Sequence, residues 1–153
     1  MEVLGFIPAR ANSKGIPGKN FKLLNGKPLI GYTIEEGLKS QINRLIVSTD
    51  SSGIAKISKD FGAEVPFLRP SELSQDDSVI KDSILQVLKK LKEDEGYEPD
   101  IIVLLQPTSP LRTAKHINDC IHLLKEKKVD SILSVSKPME HPAEMVYWDH
   151  SGK

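Results

Sequence analysis

Apolar runs rich in β-branched residues recur along the chain at residues 3–8 (VLGFIP), 44–49 (RLIVST), 64–68 (EVPFL), 101–106 (IIVLLQ) and 131–136 (SILSVS). Several are apolar on consecutive positions, as strands buried on both faces are. Between them the period changes. Residues 28–40 open on Pro28, residues 52–62 close on Gly62, and residues 82–94 read DSILQVLKKLKED. Residues 114–128 place Ile117, Cys120, Ile121 and Leu124 on one helical face. The order is β-α-β-α throughout. It predicts an α/β fold, a Rossmann-like three-layer αβα arrangement with a mostly parallel sheet and right-handed crossovers.

In open sheets of this kind ligands bind outside the carboxyl ends of the strands. The segments that follow the first four runs are the polar ones: ARANSKGIPGKN, TDSSG, RPSELSQDDS and QPTSPLRT. Four loops bearing chemistry therefore share one edge. In the first, Gly15 and Gly18 let backbone N–H groups approach a ligand closely and the prolines stiffen the path. Arg10, Lys14 and Lys19 add charge-assisted donors, a set that suits a polyphosphate. The rival reading is a long solvated loop. A P-loop does not fit, because no glycine precedes GKN at the required spacing and no Ser or Thr follows the lysine; no G-x-G-x-x-G occurs either.

Composition narrows the ligand's nature. The 153 residues suit one domain, and 39% hydrophobic with 27% charged content is ordinary for a soluble globular protein. The 21 basic and 21 acidic side chains cancel, so the molecule offers no global field for nucleic acid or an anionic bilayer. The distribution is uneven, however: between Val3 and Ile34 lie Arg10, Lys14, Lys19, Lys22 and Lys27 with no acidic residue. An anion site is thus expected to be local. One cysteine, no basic leader ahead of an apolar stretch, and no apolar run near the roughly 20 residues of a spanning helix give a cytoplasmic expectation with no membrane partner.

Five segments in register, IPARANSKGIPGKN, LIVSTDSSGIA, FGAEVPFLRPSEL, DDS and LLQPTSPLRT, resemble successive signatures of the acylneuraminate cytidylyltransferases, the CMP-N-acetylneuraminic acid synthetase family. The resemblance runs from residue 7 to about residue 136, and PMEHP (138–142) is similar to the start of the family's next segment. It implies transfer of CMP from CTP to the anomeric hydroxyl of a nine-carbon sugar acid, with pyrophosphate released and magnesium as cofactor. By the same resemblance Arg10, Ser13, Lys14, Lys19 and Asn20 meet CTP, with the cations and Ser13 facing phosphates and Asn20 nearer the nucleoside. Arg10, Lys14 and Lys19 would carry the catalytic charge stabilisation. Arg69 falls on the nucleotide side, Ser78 lines the cytosine pocket, and Gln106 and Thr108 contact the sugar.

Other residues keep two readings. Arg112 suits a carboxylate through its planar fork, or packs and pairs with Asp50. Asp50 reads as a helix N-cap ahead of SSGIA in preference to a ligand group, and Asp76, Asp77 and Ser78 suit a cap for a helix beginning near Val79. His116 and Cys120, four apart, read as a surface histidine and a core cysteine in preference to a metal pair. Ile80 departs from the family pattern, which has a small or hydroxyl-bearing residue there. The family's Asp-x-Asp magnesium motif does not occur in the sequence, so no metal ligand is assigned.

The expected organisation is a nucleotide-binding domain over residues 1–136, with residues 137–153 the start of a truncated dimerisation segment; full-length relatives are expected to be homodimers. The alternative readings are another sugar-acid cytidylyltransferase, for pseudaminic, legionaminic or 3-deoxy-manno-octulosonic acid, and a non-catalytic nucleotide-binding remnant.

Overall fold

The computed structural model describes residues 1–11, 15–73 and 79–135. In chain order the elements are β1 (Val3–Pro8), β2 (Leu23–Leu24), β3 (Lys27–Pro28), α1 (Leu29–Leu38), β4 (Arg44–Ser48), α2 (Ser52–Asp60), α3 (Ile80–Glu95), β5 (Ile101–Leu104) and α4 (Ala114–Lys127). β1 runs through the middle of a parallel sheet of order β4-β1-β5. The register pairs Leu4 with Arg44 and Pro8 with Ser48 on one side, and Val3 with Ile101 and Phe6 with Leu104 on the other.

Consecutive apolar residues in β1 serve both faces, as the sequence predicts. Val3 and Ile7 join Leu45, Val47 and the inward residues of α1, α2 and α4, such as Ile30, Ile34, Ile54, Ile117 and Ile121. Leu4 and Phe6 point the other way, with Ile46, onto Val87 and Leu91 of α3. This is the three-layer αβα arrangement. Gly5 allows the close approach at its centre: a Cβ there would lie 2.5 Å from Leu45 Cδ1 and 2.9 Å from Ile42 Cδ1.

Three local features differ from the sequence reading. Residues 64–68 meet the sheet through one bridge, Ile46 with Glu64, and do not form a strand. Pro66, two residues on, has no N–H to extend a ladder. Residues 131–135 are not a strand, and Leu133 and Val135 stand 85% exposed. A small hairpin, β2 with β3, is an addition to the reading; Asn25 (φ 48) and Gly26 (φ 80) make its turn, a positive-φ pair that suits an Asn-Gly hairpin. Residues 137–153 lie outside the described residues, and among those described no helix is long and apolar enough to cross a membrane.

Because the three strands are parallel, the loops after β1, β4 and β5 leave from one edge. The chain from β4 returns to that edge before α3, since the Arg69 backbone N–H donates to the Thr49 carbonyl at 2.7 Å.

Candidate functional site

The loop after β1 is tied down at both ends. Ala9 N–H continues the ladder to the Ser48 carbonyl at 2.9 Å, and Ala11 N–H donates to Asp50 Oδ1 at 2.8 Å. Asp50 therefore grips the first loop and is not the cap of α2. That cap is Ser51, whose Oγ accepts from Ile54 N–H at 3.3 Å. The far end of the loop turns at Gly18 (φ 63) into a single 3-10 turn, Lys19–Phe21. Within it Asn20 is 4% exposed; its Nδ2 donates to the Arg10 carbonyl at 3.1 Å, and its Oδ1 is buried without a donor. Ser13, Lys14 and Ser78 lie outside the described residues, as do Asp76 and Asp77; α3 starts after Val79 with no side-chain cap.

Arg69 is 7% exposed and is the one charged side chain in the buried class among the described residues. Its Nη1 donates to Ser83 Oγ at 3.0 Å, while its Nε is buried with no partner. Burial lowers its pKa, partly offset by attraction to Asp50 and reinforced by repulsion from Arg10. The guanidinium stays charged regardless. Asp50 and Arg10, from two other loops, thus both act electrostatically on the Arg69 guanidinium. Ser48, the last residue of β4, adds a buried hydroxyl without a partner.

The loop after β5 folds on itself. Ser109 N–H reaches the Gln106 carbonyl at 3.3 Å, and Arg112 Nη2 donates to the same carbonyl at 3.0 Å. Thr108 Oγ1 lies 3.5 Å from Gln106 Oε1, so the two candidate sugar contacts stand side by side, both exposed. Arg112 Nη1 is buried and without a partner, and burial lowers its pKa. The structure thus shows one guanidinium nitrogen bracing the loop and another unsatisfied.

His116 is a capping residue. Thr113 Oγ1 accepts from His116 N–H at 3.4 Å while Thr113 N–H donates to His116 Nδ1 at 3.3 Å, a reciprocal box at the start of α4. Cys120 is half-buried. Among the described residues no three His, Cys, Asp or Glu side chains gather to hold a metal ion. At this edge Asp50 accepts from Ala11 N–H through Oδ1. An open groove of about 460 Å³ lies elsewhere, between α2 and residues 65–68, and contains none of the candidate residues.

The carboxyl edge of this parallel αβα sheet brings half-satisfied guanidinium groups together beside a glycine-bearing loop, donors of a kind that can meet an anion. The chain belongs to the cytidylyltransferase family, which matches residues 4–150. It is 42% identical over 139 residues to the CMP-N,N'-diacetyllegionaminic acid synthase of Legionella pneumophila, covering 89% of this chain and 60% of that protein. It is 35% identical over 146 residues to an N-acylneuraminate cytidylyltransferase of Streptococcus agalactiae, covering 94% of this chain and 34% of that one. Among solved structures it is similar to a CMP:2-keto-3-deoxy-manno-octonic acid synthetase complexed with CTP, with a TM-score of 0.70 at 22% identity over 84% of this chain and 49% of that one. A cytidylyltransferase from Leptospira borgpetersenii gives a TM-score of 0.63 at 25% identity, covering 84% and 50% of the two chains. The chain spans 34% to 60% of the length of these two sequence relatives.

Two polar side chains beside the candidate residues escape a sequence reading. Ser48 looks like strand, and Ser83 like one more polar helix residue; the available signal for Ser83 is that it heads the stripe Ser83, Val87, Leu91, where an apolar residue is expected.

Proposed function

We propose that this chain binds CTP at the carboxyl edge of its sheet and forms the nucleotide part of an enzyme that transfers CMP to a nine-carbon sialic-type sugar acid. In that reaction the anomeric oxygen bonds to the α-phosphorus, its proton is lost, the α–β phosphoanhydride bond breaks and pyrophosphate leaves. The protein's part is to align the reactants and offset phosphate charge. Arg10, Ser13, Lys14 and Lys19 take the phosphates. Asn20 offers its donor-less Oδ1 to a nucleoside O–H or N–H, and Arg69 and Ser78 complete the nucleotide side. Gln106 and Thr108 face the sugar. Magnesium belongs to this reading as the family's ion; the described residues give it no site, and no step is assigned to it.

The observation that carries the reading is Arg69, a buried cation whose hydrogen-bond partner is a neutral hydroxyl and whose Nε has none. Buried charges are ordinarily paired, so an arrangement of this kind is stabilised by an incoming anion. The 42% identity to the legionaminic acid synthase favours N,N'-diacetyllegionaminic acid as a second sugar, ahead of pseudaminic and octulosonic acids. A cytoplasmic setting and a second copy as partner complete the proposal, the first supported by the single half-buried thiol.

The test is a calorimetric titration with CTP, ATP and GTP, beside pyrophosphate release with CTP, magnesium and each sugar acid. CTP ranked first, with release, is the expected result. Equal affinity for the three nucleotides makes the edge a generic anion site, and CTP binding without release makes the chain a non-catalytic nucleotide-binding domain.

A further inference from the structure

We infer that Ser83 is the positioning residue of the nucleotide site: its hydroxyl, by accepting from Arg69 Nη1, fixes the direction in which the buried guanidinium presents itself to CTP. The inference rests on the CTP reading above and assigns a role that none of the sequence motifs carries.

Ser83 lies in the first turn of α3 and is 1% exposed. Below it Val87 and Leu91, each 1% exposed, pack on Leu4, Phe6 and Ile46. A hydroxyl at the head of such a stripe is costly unless hydrogen-bonded. A buried helical serine commonly satisfies itself on the carbonyl four residues back, as Ser58 does in α2, donating to the Ile54 carbonyl at 2.8 Å. Ser83 does something else. Its oxygen accepts from Arg69 at 3.0 Å and its proton points toward the Leu73 carbonyl at 3.5 Å. One side chain therefore meets two points of the segment that joins β4 to α3.

Arg69 is held from its other end as well, through its backbone N–H to the Thr49 carbonyl. With main chain fixed at β4 and guanidinium fixed at α3, the long side chain loses its rotamer freedom on folding and not on binding, which is what preorganisation for a ligand requires. Without the serine the guanidinium keeps its burial and loses its anchor.

The experiment is a double-mutant cycle on the whole chain, reading CTP affinity by calorimetry and thermal midpoint in parallel. Ser83→Ala is expected to weaken CTP binding about tenfold, the scale of a hydrogen bond to a charged group. In an Arg69→Lys background, where the fork is absent, the same substitution is expected to change affinity by less than about twofold. An equal loss in both backgrounds, or a lower midpoint with unchanged affinity, makes Ser83 a packing residue and overturns the inference while the CTP reading stands. Failure of the unsubstituted chain to bind CTP overturns both. Should Ser83→Ala not fold, Ser83→Cys keeps the volume and replaces the oxygen with a weak sulfur acceptor, and the same cycle is run with it.

Discussion

The two ends of the sheet treat an arginine in opposite ways. At the amino end Arg44 bonds to Glu64 through Nε and Nη2 and to Glu95 through Nη1, and it lies 4.7 Å from the centre of the Tyr97 ring. Hydrogen bonding to Glu64 is the main cause of its raised pKa. At the carboxyl end Arg69 is more deeply buried, has a neutral hydroxyl for a partner, and its pKa is lowered by burial. Asn43 and Asp100 complete the amino end by accepting from the N–H groups of Val3 and Glu2. The carboxyl end keeps Asn20 Oδ1, Ser48 Oγ, Arg69 Nε and Arg112 Nη1 without partners, four of the six such buried atoms among the described residues. Folding satisfies one end and leaves the other poised. Unsatisfied buried groups destabilise the fold, so their concentration at the carboxyl edge supports the CTP site proposed there.

Neutralising Arg69 should have the largest effect on the contrast between the two ends. Arg69→Met is expected to weaken CTP binding about 100-fold, since a charge-assisted contact is lost, while stability measured by urea denaturation stays level or rises because an imperfectly paired buried charge is gone. A clear loss of stability with affinity intact would make Arg69 a structural cation like Arg44. The mirror experiment is Arg44→Met. It removes two ion pairs and a cation–π contact, and a loss of about 1–2 kcal/mol in unfolding free energy is expected, with CTP affinity unchanged. Weakened CTP binding there would erase the division between the two ends.

How much of this was legible in the sequence follows the same division. The helices and the strands β1, β4 and β5 were, because burial of consecutive apolar residues and helical stripes are local patterns. EVPFL looked like a strand on composition, yet Pro66 keeps it from more than a bridge. SILSVS has strand composition as well, but residues 131–135 pair with no strand among the described residues. The Asn-Gly hairpin was readable in LLNGKP from its turn dipeptide alone. Arg69 stood out in its motif, but Asp50 was misread: the rule that an acid before a helix caps it does not decide between Asp50 and Ser51, and cannot show that the Ala11 N–H comes within reach of Asp50. The role inferred for Ser83 depends on a contact between α3 and a loop 14 residues earlier, which no periodicity encodes.

Not every polar group near the carboxyl edge belongs to a ligand, and a smaller effect separates the classes. Thr113 and His116 satisfy each other at the start of α4. Thr113→Ala is expected to cost about 1 kcal/mol in stability and to leave CTP affinity alone. A change in affinity without a change in stability would move Thr113 into the site.

Glu36 gives the finest test. It reaches from α1 to the start of α4, accepting from Ala114 N–H at 2.8 Å through Oε2 and from Lys39 Nζ at 2.8 Å through Oε1. Its pKa is lowered, first by the Lys39 hydrogen bond and then by that of Ala114, with burial opposing. A carboxyl with a depressed folded pKa contributes stability above its unfolded value and loses it as pH falls through the folded one. Glu36→Gln is therefore expected to be less stable than the unsubstituted chain near neutrality, by ~0.5 kcal/mol after solvent screening. The gap should close as pH drops below the ordinary carboxylate range, since protonated Glu36 and glutamine are both uncharged. A gap that persists into acid would mean that the amide disturbs packing and that charge is not what holds α1 to α4. Closure of the gap would show that the scaffold directly behind the QPTSPLRT loop is electrostatically satisfied, and would confine the unmet groups of the carboxyl end to the site itself.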